Sequence, residues 1–370
     1  MLLQISYFAL SLFGIIKRKS KILTPLMLIM MWIIFGFSTY NGDFGNYSWI
    51  YQNIQNPSYW TEFEPIFNVL MYVCSIVGLN FIQFRMVFGG LYIVLLYKTI
   101  SKFTEFKAEV LGLYMLFPFL LFTSIIRSGF ASLLILLAYH EIIAEKNNKV
   151  KFWVFIAIAC LIQYTSIFFV FYYYLRKKEF RNKNIILVVG ILVIAFASYY
   201  SGLMHFVVSH ITSNYRVLKW FMPQASGQEI RWVLYLVIID LMCLFLAYLC
   251  LRENRFYSVG NCNINPYAED VFHINIAMLI FIPTFFVTNA SSRFIWEMLL
   301  LNIICFVKDD ELRFPVKRNK ISFSRKMVVL IAFLLFFLFY SNLPYKGTEN
   351  DINMLFRNNL IYQIDDFFMK

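Results

Sequence analysis

Long apolar runs, separated by short polar segments, dominate the chain. Twelve such runs lie at about 2–16, 22–39, 64–80, 81–97, 108–125, 127–143, 152–175, 184–201, 231–250, 271–289, 293–307 and 326–341. Several of them are shorter than the roughly 20 residues that a transmembrane helix needs, so we expect tilted or broken helices. The pattern predicts an all-α polytopic integral membrane protein with about 11–13 transmembrane or re-entrant helices.

Two stretches predict helices that do not simply cross a membrane. Residues 108–143 have lysines at or near both ends, which predicts a hairpin whose outward turn is Ile126-Arg127-Ser128-Gly129. Residues 152–175 also lie between two basic loops, although the stretch is only 24 residues long. Two half-helices that meet near Gln163-Tyr164-Thr165-Ser166 would allow both ends to lie on the same side of the membrane. Non-helical backbone inside a membrane is tolerated where it lines a cavity.

The pattern leaves the path of residues 64–97 open. The stretch reads as two apolar segments, but the polar residues before it and the basic loop after it require an odd number of crossings. We therefore expect 64–80 to be re-entrant or to lie flat. The sequence has no internal repeat and no soluble linker, which predicts a single membrane domain over residues 1–370. Its outer-face parts are expected at about 40–63, 202–230 and 342–370.

The composition supports a membrane protein, because 60% of the residues are hydrophobic, 20% are aromatic and only 15% are charged. The net charge is +12, but 24 of the 33 lysines and arginines lie in short loops between apolar runs. That placement is typical of cytoplasmic loops, so we expect no nucleic-acid partner. The six cysteines and four histidines lack the spacing of metal ligands, and we expect no metal and no cofactor.

Nine cations lie outside the basic loops, and six of them are predicted near the outer face: Arg85, Arg127, Arg216, Lys219, Arg231 and Arg293. Arg127 is the only charged residue in the run 110–139. An arginine at mid-bilayer costs roughly 2.5–3.5 kcal/mol, so it should face protein, water or an anion. Its planar guanidinium suits a phosphate. The alternatives are a salt bridge from Arg127 to a carboxylate on another helix, such as Asp240 or Glu297, and, for Arg293, a helix-end side chain that reaches the membrane surface.

Two carboxylates are predicted on the same side as these cations. Asp43 follows an apolar run in NGDFGNY, and Glu64 precedes Pro65 at the start of the next run. A carboxylate at an aromatic membrane mouth can act as a general base or can hydrogen-bond sugar hydroxyls. The alternatives are an Asx-type turn at Asp43 and a helix start at Glu64. Tyr47 and its aromatic neighbours can stack on sugar faces, or can form an interfacial belt.

In their order along the chain, several short motifs resemble the EpsG family of Wzy-like polysaccharide polymerases. The matching residues are Gly42-Asp43-Phe44 with Tyr47, Glu64-Pro65-Ile66-Phe67, Ile126-Arg127 with Ala131, Gln163-Tyr164-Thr165-Ser166, Tyr215 through Trp220, and Ser292-Arg293-Phe294. The resemblance runs from about residue 22 to 307. Two positions depart from the family pattern: Phe37-Ser38-Thr39-Tyr40 contains no arginine, and Gln163 stands where the family usually has histidine.

The resemblance implies a multi-pass glycosyltransferase of the GT-C-like type in the bacterial cytoplasmic membrane. Such an enzyme polymerises undecaprenyl-pyrophosphate-linked oligosaccharide units into a capsular, exopolysaccharide or O-antigen chain on the outer face, without a metal. The implied substrates are lipid-linked oligosaccharides among membrane lipids, with a flippase and a chain-length regulator as candidate partners.

Under this hypothesis each candidate residue has a role. Arg127 and Arg293 bind the diphosphate and neutralise the leaving group. Asp43 or Glu64 orients or deprotonates the acceptor hydroxyl. The remaining candidates contact lipid phosphates or glycan: Tyr47, Gln163, Tyr164, Arg216, Lys219 and Arg231.

Two other classes of protein are weighed against the polymerase. A flippase or transporter of the same lipid-linked sugar predicts internal pseudo-symmetry, which the sequence lacks. A membrane acyltransferase predicts an outward histidine with a paired acid, which is also missing from the sequence.

Overall fold

The computed structural model describes residues 2–39, 43–143, 148–175, 230–258, 265–285, 293–313 and 356–361, and a few isolated positions at 190, 206, 209–210 and 330–331. Within these ranges every regular element is a helix, which confirms the all-α prediction for them. An isolated antiparallel bridge joins Ser38 to Asn359. The predicted runs 184–201 and 326–341 lie almost wholly outside the described residues.

The helices follow the apolar runs closely. They are α1 (Leu2–Ile16), α2 (Leu23–Phe37), α3 (Phe44–Asn53), α4 (Pro65–Ile76), α5 (Phe81–Phe103), α6 (Lys107–Leu116), α7 (Phe119–Phe122), α8 (Ile126–Ile142), α9 (Lys149–Ile162), α10 (Phe171–Leu175), α11 (Ile230–Ser258), α12 (Ala268–Met278), α13 (Ile282–Phe285) and α14 (Arg293–Arg313). Short 3-10 helices occupy Pro57–Thr61, Tyr164–Val170 and Leu279–Phe281. In the described part, Phe81–Phe103 and Val233–Asn254 are long and apolar enough to cross a membrane.

The described residues form two compact units, and the first contains residues 1–170 and 307–370. In it α1 packs antiparallel against α6 at very close range. The hydroxyl of Tyr7 donates to the carbonyl of Met115, and the hydroxyl of Ser11 to the carbonyl of Gly112, both at 2.7 Å. A Cβ on Gly112 would lie 2.5 Å from the carbonyl oxygen of Ser11, so this crossing requires glycine.

A second antiparallel pair, α2 with α5, adjoins the first. A Cβ on Gly36 would lie 3.0 Å from Cα of Met86, whereas a Cβ on Gly90, one turn later in α5, would lie 3.6 Å from the indole nitrogen of Trp32, one turn earlier in α2. The ring of Phe35 lies directly over Gly89, where a Cβ would be only 2.7 Å from it. Because both pairs are antiparallel, the chain ends of these four helices fall at two opposite ends of the unit.

One end of the first unit collects the lysine-rich loops. Lys19 pairs with Glu105 at 2.5 Å, and Arg18 lies 3.5 Å from the buried Glu109. The hydrogen bond and the charge of Lys19 lower the pKa of Glu105. Lys102 reaches Glu141 at 3.4 Å, so the last turns of α5 and α8 lie at this same end. We call it the basic end and call the opposite one the site end.

The second unit covers residues 171–306, and buried amides join its helices. Asn275 and Asn302 form a reciprocal pair, at 2.8 and 3.2 Å, between α12 and α14. The amide of Asn254 donates to the carbonyl of Asn265 at 2.9 Å and fixes the start of the next segment. Paired amides of this kind specify a helix register inside an apolar core.

The predicted hairpin turn is wrong in position. Residues 126–129 open α8, and the chain reverses earlier, at 117–118 and 123–125. Pro118 cannot continue the α6 hydrogen-bond ladder, and Phe117 before it is extended. Gly129 provides close packing rather than a turn, because a Cβ there would lie 2.9 Å from Cβ of Phe122.

Two other expectations concern broken helices. The predicted break near Gln163 is confirmed, since α9 ends at Ile162 and Gln163 has extended backbone. Within 64–80 the helix is Pro65–Ile76, only 12 residues long. It is therefore shorter than the roughly 20 residues of a spanning helix, in line with the expectation that this segment does not cross.

Candidate functional site

The first turn of α8 carries Arg127 at the site end, where its guanidinium binds Glu64. Nη1 of Arg127 donates to Oε2 of Glu64, and only 14% of the arginine side chain and 7% of the glutamate side chain are exposed. Glu64 has extended backbone because Pro65 opens α4 directly after it. The carbonyl of Glu64 then accepts the amide of Asn68 at 3.0 Å, which fixes the carboxylate at the head of that helix.

Aromatic rings enclose the Arg127 guanidinium. Its carbon lies 4.2 Å from the ring centre of Phe63 and 5.8 Å from those of Tyr47 and Phe67. The Tyr47 hydroxyl accepts a hydrogen bond from Nε at 3.2 Å. Cation–π contacts with partly desolvated rings are worth about 0.5–2 kcal/mol each and hold the guanidinium in one orientation.

The second oxygen of Glu64 reaches the break after α9. Oε1 accepts the backbone amide of Tyr164 at 3.1 Å, so the carboxylate joins three separate parts of the chain. Gln163 is buried and donates from Nε2 to the hydroxyl of Thr165 at 3.2 Å. Its Oε1 is buried with no hydrogen-bond partner among the described residues. The Tyr164 residue beside it is 60% exposed, which places a free aromatic face at the edge of this cluster.

Five of the predicted site residues thus come together: Tyr47, Glu64, Arg127, Gln163 and Tyr164. Glu64 and Tyr164, which are joined by a hydrogen bond, are 100 residues apart in sequence. The alternative for Arg127, a salt bridge to a carboxylate on another helix, is confirmed, with Glu64 as the partner rather than Asp240 or Glu297. We call these five residues the Arg127 cluster.

Asp43 lies close by in the chain, at the start of α3. Its carbonyl accepts the amide of Tyr47 at 3.1 Å, so the residue is one helical turn from the Arg127 cluster. The side chain is partly exposed and does not cap α3. The Asx-type turn proposed for Asp43 is therefore not formed toward this helix.

The remaining candidates belong to the second unit or lie outside the described residues. Arg293 is the first residue of α14 and is partly exposed. Arg231 lies in the first turn of α11. Arg216 and Lys219 lie outside the described ranges.

Comparison with protein families adds one decisive match: the model of the EpsG family fits residues 5–357. The chain belongs to the EpsG family. No curated protein and no solved structure matches it. Membership of the EpsG family supports a membrane protein with a polymerase-like role in exopolysaccharide synthesis. It extends the resemblance beyond the stretch from 22 to 307 in which the motifs lie.

Within this EpsG-family chain, sequence reasoning gave no role to Arg85, although the signal was available. Arg85 is the only charged residue in its apolar run, as Arg127 is in its own. Its side chain is fully buried at the site end, in the second turn of α5. Nη2 donates to the carbonyl of Phe35 at 2.8 Å and approaches that of Thr123 at 3.4 Å.

The same EpsG-family chain keeps other polar groups buried at the site end. The hydroxyls of Ser128 and Ser166 and the amide oxygen of Asn68 have no hydrogen-bond partner among the described residues. No three His, Cys, Asp or Glu side chains in the described ranges group as a metal site would require.

Proposed function

We propose that this protein is a membrane glycosyltransferase that polymerises lipid-linked oligosaccharide repeat units on the outer face of the bacterial cytoplasmic membrane. The observation that carries the proposal is the Arg127 cluster: an arginine oriented by a carboxylate and aromatic rings beside a broken helix. Family membership supports the same class. The donor is a glycan on undecaprenyl diphosphate, and the acceptor is a single lipid-linked unit.

The reaction needs positive charge at the leaving group. An acceptor hydroxyl attacks the anomeric carbon of the donor, the bond from that carbon to the diphosphate oxygen breaks, and negative charge grows on the diphosphate. Oriented cations stabilise such charge most where water is excluded. The bonds of Arg127 use Nε and Nη1, which leaves Nη2 for a phosphate oxygen. The roles that the sequence assigns to Arg293 (phosphate) and to Arg216, Lys219 and Arg231 (lipid phosphates or glycan) stay predictions.

The acceptor hydroxyl also has to lose a proton, and Asp43 is the better candidate base. Both oxygens of Glu64 already accept hydrogen bonds, from Arg127 and from the amide of Tyr164. Protonation of Glu64 would break one of these bonds and leave a buried guanidinium without its partner, which is costly. Asp43 is partly exposed, so a substrate hydroxyl can approach it. Glu64 is then the residue that positions Arg127.

Sugar recognition falls to groups beside the arginine. Tyr164 offers an exposed ring to a sugar face. Gln163 offers an amide oxygen without a partner, which can accept a sugar hydroxyl. Histidine usually occupies this position in the family, and glutamine keeps the hydrogen bond but cannot transfer a proton at neutral pH.

The opposite ends of the first unit agree with an outer-face reaction. Lysine-rich loops gather at the basic end, which the positive-inside rule assigns to the cytoplasm. The Arg127 cluster lies at the other end of the same helices. We propose a multi-pass, GT-C-like membrane domain with this end outward.

The experiment is repeat-unit polymerisation, either with purified lipid-linked units or in a strain that lacks its own polymerase. The wild-type chain is expected to produce a ladder of glycans, and Arg127→Ala and Arg127→Lys at equal expression to produce single units. Lys19→Gln at the exposed basic end is the matched control and should give the wild-type ladder. Full chain lengths from both Arg127 variants would exclude the phosphate role.

The same strain separates the polymerase from a flippase of the same substrate. Deletion of a polymerase leaves single lipid-linked units on the outer leaflet, whereas deletion of a flippase leaves them on the inner leaflet. Accumulation on the inner leaflet would therefore overturn the proposed polymerase.

A further inference from the structure

Arg85 is a buried guanidinium that forms no salt bridge with a carboxylate of the described residues. Its side chain is fully buried, and Nε and Nη1 have no hydrogen-bond partner among the described residues. By contrast, Arg127 pairs with Glu64 and Arg18 lies 3.5 Å from Glu109. An uncompensated buried charge is strongly unfavourable. Such charges are therefore typical of positions where a ligand or a function requires them.

Structural contacts account for only one nitrogen of Arg85. Nη2 binds the carbonyl of Phe35, in the last turn of α2, where a cation is favourable. It also approaches the carbonyl of Thr123 in the turn that precedes α8. These bonds hold the guanidinium in place between three elements and leave the Nε and Nη1 donors unused.

The first turn of α3 covers both arginines of the site end. The ring centre of Phe44 is 5.5 Å from the guanidinium carbon of Arg85. Three residues along the same turn, Tyr47 lies against Arg127, and its hydroxyl accepts a hydrogen bond from Nε. Arg85 and Arg127 therefore lie under neighbouring residues of the same helical turn.

The two arginines differ in charge balance. The Arg127–Glu64 pair is close to neutral as a unit. It therefore contributes to anion binding mainly through the position of its hydrogen-bond donors. Arg85, by contrast, has no carboxylate within salt-bridge distance among the described residues. A diphosphate has two phosphoryl groups, each with its own charge, and a divided site with one arginine for each would match it.

We infer that Arg85 is a second phosphate-binding residue and that it makes the site select a diphosphate over a monophosphate. This inference rests on the proposed function. Access to Arg85 requires the first turn of α3, with Phe44, to move aside, since the side chain has no exposed surface in its present position. The ligand chemistry, a diphosphate ester or free pyrophosphate, is the same for a lipid and for a soluble source.

The test is direct binding to the full chain, purified into nanodiscs. Four probes are compared: undecaprenyl diphosphate, undecaprenyl monophosphate, inorganic pyrophosphate and inorganic phosphate. The wild-type chain is expected to prefer the lipid diphosphate over the lipid monophosphate by at least tenfold. Arg85→Gln should lose that preference, with monophosphate affinity changed less than threefold. Equal losses with free pyrophosphate would assign the site to a soluble ligand.

Arg18→Gln is the matched control, because it also removes a buried guanidinium but at the basic end. It should keep the preference for diphosphate. Should Arg85→Gln not fold, Phe44→Ala leaves both guanidinium groups intact and uncovers Arg85. This variant should bind the lipid diphosphate at least threefold faster than the wild type, and an unchanged association rate would overturn the inference.

The outcomes separate this inference from the proposed function. A wild-type chain that polymerises while Arg85→Gln keeps its preference for diphosphate would refute the role of Arg85 alone. A chain that loses the preference with Arg85→Gln but makes no polymer would refute the polymerase and keep the diphosphate site. A wild-type chain that does not prefer diphosphate would overturn the inference outright.

Discussion

Nη1 of Arg127 donates to Oε2 of Glu64, two residues that are 63 positions apart in sequence, and the bond ties the head of α8 to the head of α4. The sequence alone assigns Arg127 and Glu64 separate roles, whereas in the structure each residue is the other's partner. The arginine is oriented before any substrate arrives, and the carboxylate is occupied by that task. The pair therefore behaves as one unit, in which each member fixes the geometry of the other.

A double-mutant cycle tests this unit. Arg127→Met or Glu64→Met alone leaves an unpaired buried charge, which is expected to cost about 3–5 kcal/mol. The double variant should recover most of that stability, because the two losses are coupled. Polymerisation should stay absent in all variants that lack Arg127. Thermal unfolding in nanodiscs measures the stability of each variant, and glycan chain length measures polymerisation. Additive stability losses would contradict the coupling.

The Tyr47 hydroxyl should matter to activity more than to folding. Tyr47→Phe keeps the ring against Arg127 but removes the acceptor of Nε, a hydrogen bond to a charged group worth about 1.5–3 kcal/mol. We expect polymerisation to slow by roughly 10–100-fold on that basis.

Tyr51→Phe, one turn later on α3, is the control for Tyr47. Burial raises the pKa of Tyr51 to about 12, so its hydroxyl stays protonated and donates to the carbonyl of Leu79 at 2.8 Å. Its loss should cost about 1 kcal/mol of stability and leave the polymerisation rate unchanged. Equal rates for the two variants would show that orientation of Arg127 is not limiting.

Gln163 should show a conflict between stability and activity. Its Oε1 is buried without a partner, so Gln163→Leu removes an unsatisfied acceptor and is expected to leave stability unchanged or raise it by about 1 kcal/mol. The same change should reduce polymerisation at least tenfold if the oxygen accepts a sugar hydroxyl. Asn302→Leu is the contrast, because its amide is paired with Asn275, and it should destabilise by about 1–3 kcal/mol. A fully active Gln163→Leu variant would remove the residue from the site.

Close packing of α1 on α6 gives a prediction about stability alone. A Cβ on Gly112 would lie 2.5 Å from the carbonyl of Ser11 and 2.9 Å from Cγ1 of Ile15. Gly112→Ala is therefore expected to destabilise by about 1–3 kcal/mol. Gly45→Ala in α3, where nothing lies within 4 Å of the added methyl, should stabilise by about 0.4–1 kcal/mol. Unfolding midpoints of the two variants should move in opposite directions.

Local signals in the sequence account for much of the site. Three local predictions are confirmed. Arg127 faces protein rather than lipid. The helix breaks at Gln163, and a helix begins at the proline after Glu64. Each depends on the residues within one or two helical turns, which is the range over which apolar periodicity and proline act.

Tertiary contacts account for what the sequence could not predict. The turn assigned to Ile126 through Gly129 was wrong because Gly129 reads as a turn residue, whereas its packing against Phe122 is visible only in the fold. The partner of Arg127 was misassigned for a similar reason, since several carboxylates in apolar runs are equally plausible from spacing alone. The isolation of Arg85 in its apolar run is visible in the sequence, but its complete burial is visible only in the fold.

The bridge between Ser38 and Asn359 also bears on the order in which the protein is made. The amide of Thr39 donates to the carbonyl of Asn358 at 2.8 Å across a separation of 319 residues, and the amide of Asn359 reaches the carbonyl of Ile33 at 3.2 Å. During synthesis the end of α2 must therefore wait for nearly the whole chain to emerge before its last carbonyls find these partners. A ribosome stalled before residue 356 would display the end of α2 without these partners.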